Sequence, residues 1–178
     1  MPHLINAMEQ LDRHITIVPN FPKPGIDFKD ITPLLGSAPA FALAVVGMIT
    51  PWRDAGITHV IAIESRGFIF GAPIALGLGA SFVPVRKPGK LPRTVFREAY
   101  ALEYGTDAVE MHADAIPPDA RVLIVDDVLA TGGTALAVSR LVQSAGAAVA
   151  GYGFLIELMD LGARRHFGDA RIEATLRY

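Results

Sequence analysis

Apolar and polar positions follow two different periods along this chain, and the switches between them mark its elements. Leu4, Met8, Leu11 and Ile15 recur at helical spacing, predicting an amphipathic packing helix from residue 3 to about 16. Pro19, Pro22 and Pro24 then hold Phe21 to Ile31 extended, as a wrapping arm whose backbone groups can point at a flat ligand. Ser37 caps a helix carrying Phe41, Val45, Met48 and Ile49, and Pro51 ends or kinks it. Thr58 to Ile63 reads as a buried strand, Phe68 to Leu78 as a helix despite Pro73, and Ser81 to Val85 as the next strand. Val122 to Val125 is continuously apolar and too short for a helix, the signature of a parallel strand buried on both faces. An Ala-rich helix follows it to about Ala145. Val149 to Ile156 gives a further strand, Asp160 to Gly168 a loop or short helix, and Arg171 to Leu176 a closing edge strand. Strand–helix–strand alternation predicts an α/β fold, with a mostly parallel central sheet flanked by helices and right-handed crossovers.

Residues 86–106 break this alternation. Arg86, Lys87, Lys90, Arg93 and Arg97 cluster among Pro88, Gly89 and Pro92, with Glu103-Tyr104-Gly105 at the far end. A long basic loop in a compact domain is expected to be a solvated surface loop or a functional lid. It leaves the carboxyl end of a strand, which favours the lid. Glu110 to His112 reads as a short strand leading to a turn at Pro117 to Asp119.

The chemistry is densest after Val125. Asp126 and Asp127 follow the apolar run, and Thr131-Gly132-Gly133-Thr134 opens the Ala-rich helix. In a parallel sheet, ligands bind where strands end and helices begin. A Gly-rich turn at a helix N-terminus offers free N–H groups and a positive dipole end to an anion. The two acids cannot serve that anion and suit hydroxyl groups or a metal bound to them. A sugar phosphate satisfies both halves. A Walker loop is excluded because Thr134, not Lys, follows Gly133. The dinucleotide fingerprint also fails, since Phe82 and Ile156 occupy the third Gly position after Gly77-Leu78-Gly79 and Gly151-Tyr152-Gly153.

Composition narrows the class. The 178 residues suit one domain with a proper core, and 16 basic against 18 acidic residues argue against a nucleic-acid partner driven by a general basic field. The absence of cysteine removes disulfides and thiolate metal sites and suits the cytoplasm. No basic-then-apolar N-terminal pattern marks a signal peptide, and no apolar run reaches membrane-spanning length, so no membrane partner is expected. The five histidines show no metal-binding spacing.

Val122 to Thr134 resembles the phosphoribosyl pyrophosphate (PRPP) motif of the type I phosphoribosyltransferases. Five stretches in order extend the resemblance to the adenine phosphoribosyltransferases over nearly the whole chain. They are Phe21 to Ile31, Glu64 to Phe68, Val85 to Pro92, Leu102 to Gly105 and the PRPP motif itself. The resemblance implies the type I phosphoribosyltransferase fold over residues 1–178. Residues 1 to about 35 would form a small base-binding hood, and about 86–106 a flexible catalytic lid. It further implies conversion of adenine and PRPP to AMP and pyrophosphate. By the same resemblance Asp126 and Asp127 bind ribose, while Ala130, Thr131, Gly132, Gly133 and Thr134 bind the 5′-phosphate. Ser65, Arg66, Arg86, Lys87 and Lys90 hold pyrophosphate, and Asp27, Phe28, Lys29 and Leu158 hold adenine. Glu103, Arg66 and Tyr104 are the implied catalytic residues, with Glu103 acting on purine N7. Mg²⁺ is the implied cofactor, held through pyrophosphate and water without a dedicated protein ligand. A homodimer in which Arg86 reaches the neighbouring site and a cis peptide at Glu64–Ser65 are also implied. Another purine base, or a PRPP-sensing regulator of the same fold, remains an alternative. A regulator should lack the lid acid or add a basic domain, whereas Glu103 is present and the net charge is −2.

Overall fold

A computed structural model describes residues 8–101 and 106–178. They fall into two compact units, Met1–Gly47 and Met48–Tyr178. The first contains the segment expected to form the hood. Its helix α1 covers residues 8–12 and stops earlier than expected, in a turn closed by His14 N–H to Leu11 O at 2.9 Å. Thr16-Ile17-Val18 then continues the apolar pattern as a strand, because three β-branched residues in a row favour extended backbone. This strand, β1 (Thr16–Val18), pairs antiparallel with β2 (Phe28–Asp30), with Val18 opposite Phe28. The arm between them is not extended throughout. Phe21 N–H donates to Ile26 O at 3.1 Å, and Asn20, at φ 58°, accepts from Gly25 N–H at 2.9 Å. The prolines fold it into a closed loop. The short helix α2 (Thr32–Leu35) follows, with the Asp30 carboxylate accepting from Thr32 N–H at 2.9 Å. Ser37 precedes α3 (Ala38–Ile49), as the capping pattern predicted.

The second unit is built on five parallel strands in the order β4-β3-β7-β8-β9. These are β3 (His59–Ile63), β4 (Ser81–Val85), β7 (Arg121–Leu129), β8 (Ala148–Glu157) and β9 (Ile172–Arg177). Helix α4 (Gly67–Leu78) links β3 to β4, and α5 (Gly133–Ser144) links β7 to β8. The two crossovers travel in opposite directions along the sheet. Both being right-handed, they place α4 and α5 on opposite faces and open a crevice between β3 and β7. The core is carried by apolar strand residues such as Ile61, Val122, Ile124 and Phe154, with Val138 and Leu141 of α5.

Two expectations are corrected here. Asp126 and Asp127 do not follow their strand; β7 continues to Leu129, paired with β8 to the level of Glu157. On its other side β3 pairs with β7 only as far as Ala62 opposite Val125. The acids therefore occupy the stretch of β7 that has outrun β3, facing the crevice. Residues 86–106 also contain more order than a loop. β5 (Val95–Ala101) and β6 (Thr106–His112) form an antiparallel hairpin in continuous register from Val95–His112 to Ala101–Thr106. The hairpin packs on α5, where Arg140 Nε donates to Glu98 Oε2 at 3.1 Å. Residues 159–168 are two 3-10 turns, Met159–Leu161 and Ala163–His166.

Candidate active site

The crevice is assembled from turns at the carboxyl ends of β3, β4, β7 and β8. At the end of β3 the chain turns through Glu64, Ser65 and Arg66 into α4, and the Glu64–Ser65 peptide is cis, as the resemblance implied. Gly67 starts the helix because a methyl group there would lie 2.8 Å from Asp126 Oδ1 and 3.1 Å from Val125 O. Only glycine lets α4 begin against β7. Ser65 and Arg66 are exposed at the mouth of the crevice.

On β7, successive side chains point to opposite faces, so the two acids have different surroundings. Asp127, 5% exposed, accepts from Arg66 Nε. Asp126 is half-buried and accepts from the Asp127 N–H at 2.9 Å. Loss of solvation pushes the Asp126 carboxyl well above the usual carboxylate range, and the neighbouring Asp127 carboxylate pushes the same way.

Past Leu129, the turn through Ala130 and Thr131 ends at Gly132, whose φ of 83° is the left-handed region that glycine adopts without strain. Helix α5 starts at Gly133, and its first turn leaves N–H groups without intrahelical acceptors. A cleft at this point is lined by Asp126, Ala130, Thr131, Gly132, Gly133 and Thr134, with Val128 and Phe154 behind. Asp126 and the expected phosphate residues are thus brought together around one small cleft, while Asp127 is held next to it on Arg66. A free helix N-terminus on one side and a poorly solvated acid on the other match a phosphate joined to a polyhydroxyl ring.

The expected pyrophosphate cations all have carboxylate partners or turn geometry that fixes them. Arg86 Nη2 donates to Glu64 Oε1 at 3.2 Å, and its Nε stands 3.1 Å from Oε2. The Lys87 N–H donates to Glu64 Oε2 at 2.8 Å. Hydrogen bonding from Arg86 and then from Lys87 holds the Glu64 carboxyl below its ordinary range. Lys87 Nζ donates to Asp107 and to Tyr100 Oη at 2.9 Å. Burial lowers the Lys87 ammonium, but its bonds to Asp107 and Tyr100 outweigh that and leave it above the ordinary value. Lys90 is exposed, in a turn closed by its own N–H to Lys87 O at 3.3 Å. Glu110 accepts from Gly89 N–H at 3.0 Å and so braces this turn. Glu64, Asp107 and Glu110 went unassigned in the sequence reading, because each lies about 20 residues or more from the cation or turn it supports. A basic loop needs nearby counter-charge, and the two acids of β6, Asp107 and Glu110, are the available signal.

Leu158 follows β8 directly, and its N–H donates to Leu129 O at 3.0 Å, which places it beside the start of the phosphate loop. Asp27, Phe28 and Lys29 lie in the first unit, where Phe21 and Phe28 meet edge-to-face at 5.3 Å and Lys29 pairs with Ile17. Glu103 and Tyr104 lie outside the described residues, between the paired Ala101 and Thr106.

A doubly wound parallel sheet with paired acids and a phosphate-type loop at its crevice defines a phosphoribosyltransferase. Residues 37–172 match the phosphoribosyl transferase domain family. The chain is 53% identical over 167 residues to a curated adenine phosphoribosyltransferase of Erwinia tasmaniensis, covering 94% of this chain and 88% of that one. The solved adenine phosphoribosyltransferase of Rhodothermus marinus is 51% identical, with a TM-score of 0.92 over 98% of this chain and 99% of that one. That of Saccharomyces cerevisiae, complexed with an imino-altritol bisphosphate and adenine, is 37% identical, with a TM-score of 0.91 over 97% and 99%. The chain belongs to the adenine phosphoribosyltransferases.

Proposed function

We propose that the crevice between β3 and β7 carries out the transfer of this family, adenine and PRPP giving AMP and pyrophosphate, with the following division of labour. The observation that carries it is the single strand-turn-helix that sets Asp126 beside the free N–H groups of residues 130–134, with Asp127 next to it on Arg66. Those N–H groups receive the 5′-phosphate, and the acids receive the ribose hydroxyls. Arg66, already beside Asp127, spans from ribose to pyrophosphate and gives two-point contact to the leaving group. Lys87, Lys90 and Arg86 add cationic charge there.

As the C1–O bond to pyrophosphate breaks, its electron pair leaves with the pyrophosphate, and the base nitrogen lone pair forms the new C1–N bond. Positive charge develops at C1 in between, and the acids of β7 favour it electrostatically. Glu103 exchanges the proton at purine N7, with Tyr104 beside it in the lid. Closure of the hairpin excludes water that would otherwise capture C1.

The donors present fit Mg²⁺. Asp126 and Asp127 are hard oxygen donors at the crevice, and no group of three acidic or histidine side chains converges among the described residues. The ion would be held mainly through substrate oxygens and water, with these two acids nearby. When bound, it neutralises charge on the departing pyrophosphate.

The base side is assigned to Phe28, with Asp27 and Lys29 backbone groups, and to Leu158. The yeast relative's complex with adenine supports adenine as the base. Calorimetry with AMP and ribose 5-phosphate tests the assignment. Phe28→Ala is expected to weaken AMP roughly tenfold, since base–aromatic stacking is worth about 1–3 kcal/mol, and to leave ribose 5-phosphate unchanged. Equal weakening of both ligands would contradict the assignment.

A homodimer is proposed through α4. This helix contains no charged residue, and its outer face shows Ile69, Leu76 at 84% exposure and, from β4, Phe82. A second copy is the proposed cover, with Arg86 exchanging Glu64 for the neighbouring site. Leu76→Glu is expected to shift the sedimentation velocity of the protein from dimer to monomer at micromolar concentration; an unchanged dimer would place the interface elsewhere. The cysteine-free chain suits the reducing cytoplasm, the proposed compartment.

A further inference from the structure

Residues 159–168 carry none of the expected site side chains, yet they touch both halves of the crevice. Glu157, the last residue of β8 and only 3% exposed, gives both carboxylate oxygens to Arg164. Arg164 Nε donates to Oε1 at 2.6 Å and Nη2 to Oε2 at 2.8 Å. Arg164 Nη1 also donates to Ile172 O at 3.2 Å, so one guanidinium fastens the second 3-10 turn to β8 and β9. Hydrogen bonding from Arg164 holds the Glu157 carboxyl below its ordinary range despite burial. A two-point pair on a buried carboxylate is far less tolerant of loss than a surface ion pair.

Two features of the site depend on this fastening. Leu158 is the next residue after Glu157, tied by its N–H to Leu129 O. On the other side, Ala163 and Phe167 are buried under the phosphate loop. A methyl group on Gly132 would meet Phe167 Cε2 at 2.6 Å and Ala163 Cβ at 3.6 Å. Phe167 is itself braced edge-to-face by Tyr152 at 4.8 Å. The turn that presents the phosphate-binding N–H groups therefore rests on the segment that Arg164 holds.

From this geometry we infer that Arg164, acting through Glu157, is a positioning residue for the transfer, setting Leu158 on the base side and Phe167 beneath Gly132 in one fastening. The inference rests on the roles given above to Leu158 and residues 130–134. Arg164 touches no substrate in it. Arg177, whose Nε stands 3.5 Å from Glu157 Oε2, reaches the same carboxylate only loosely and serves as the control.

AMP carries both the base and the 5′-phosphate, so its affinity by calorimetry reads both effects, alongside melting temperature and the KM values for adenine and PRPP. Arg164→Lys keeps the charge but loses the two-point contact. It is expected to melt near wild type, to bind AMP at least tenfold more weakly, and to raise both KM values. Arg164→Met, which strands the Glu157 charge, should lower both melting temperature and AMP affinity. The double variant Glu157→Gln, Arg164→Met should regain the melting temperature without regaining AMP affinity. Arg177→Ala should stay within twofold of wild type throughout. Recovery of AMP affinity together with melting temperature, or an Arg177→Ala loss as large as that of Arg164→Lys, would reduce the pair to a purely structural one and overturn the inference. Failure of the wild-type protein to bind AMP would instead remove the reading of the site, and the inference with it.

Discussion

Gly132→Ala is expected to raise the KM for PRPP by about 10²–10³, the loss of roughly two charge-assisted hydrogen bonds to the 5′-phosphate. Two independent constraints meet at this residue. Its φ of 83° strains any side chain, at a cost of roughly 1–2 kcal/mol. Its Cβ would also fall 2.6 Å from Phe167 Cε2, a buried ring that cannot swing aside. The loop must therefore shift, and the N–H groups of Gly133 and Thr134 shift with it. Ribose 5-phosphate affinity should fall in parallel with the rise in KM, because both ligands share the phosphate. Adenine contacts lie elsewhere, so the KM for adenine should change far less. Unchanged PRPP kinetics in a folded Gly132→Ala protein would show that the phosphate binds away from this turn.

Glu103→Gln is expected to lower kcat by about 10²–10⁴, the usual worth of a general acid–base group, with the KM for PRPP nearly unchanged. Gln keeps the size and hydrogen-bonding reach of Glu but cannot exchange a proton with N7. Steady-state kinetics separate the two quantities. A loss shared equally between kcat and KM would make Glu103 a binding residue rather than a proton carrier. The lid hairpin offers a physical reason for the separation. Its strands are anchored by Lys87 on Asp107 and Tyr100 and by Arg140 on Glu98, and the substitution alters none of these residues.

The parts of the fold that local pattern alone predicts well are continuous apolar runs. Ser81 to Val85 forms its strand with the expected bounds, and α4 differs from expectation by one residue. In both, an apolar run has no competing interpretation. The N-terminal helix was predicted too long because Ile15 continues the helical spacing while also beginning a β-branched run, and periodicity cannot separate those outcomes. The β5–β6 hairpin was hidden for another reason. Arg97, Glu98, Asp107 and Glu110 make its strands look like a solvated loop, whereas Arg140, Lys87 and Gly89 neutralise or bond three of those charges in the fold. The ribose and phosphate residues were legible because they sit together on one strand-turn-helix. Their supports, Glu64, Asp107, Glu110 and the Glu157–Arg164 pair, were not, because each is joined to its partner only by the folding of the chain.

The position of Asp126 and Asp127 also became sharper than sequence allowed. They matter less as residues that end a strand than as residues on the part of β7 that β3 no longer covers. That uncovered stretch turns two backbone-paired aspartates into a ligand-facing site. It also explains why Arg66, from the turn after β3, is the cation that meets Asp127.

The central claim is that this crevice joins the phosphoribosyl group to adenine. Release of pyrophosphate from PRPP and Mg²⁺ with adenine, hypoxanthine, guanine or xanthine, each supplied alone, tests it most directly. Adenine should support turnover with a kcat/KM at least a hundredfold above each 6-oxopurine, because those bases reverse the donor and acceptor that adenine offers at its six-membered ring. Turnover that favours a 6-oxopurine, or no pyrophosphate release with adenine, would contradict the account.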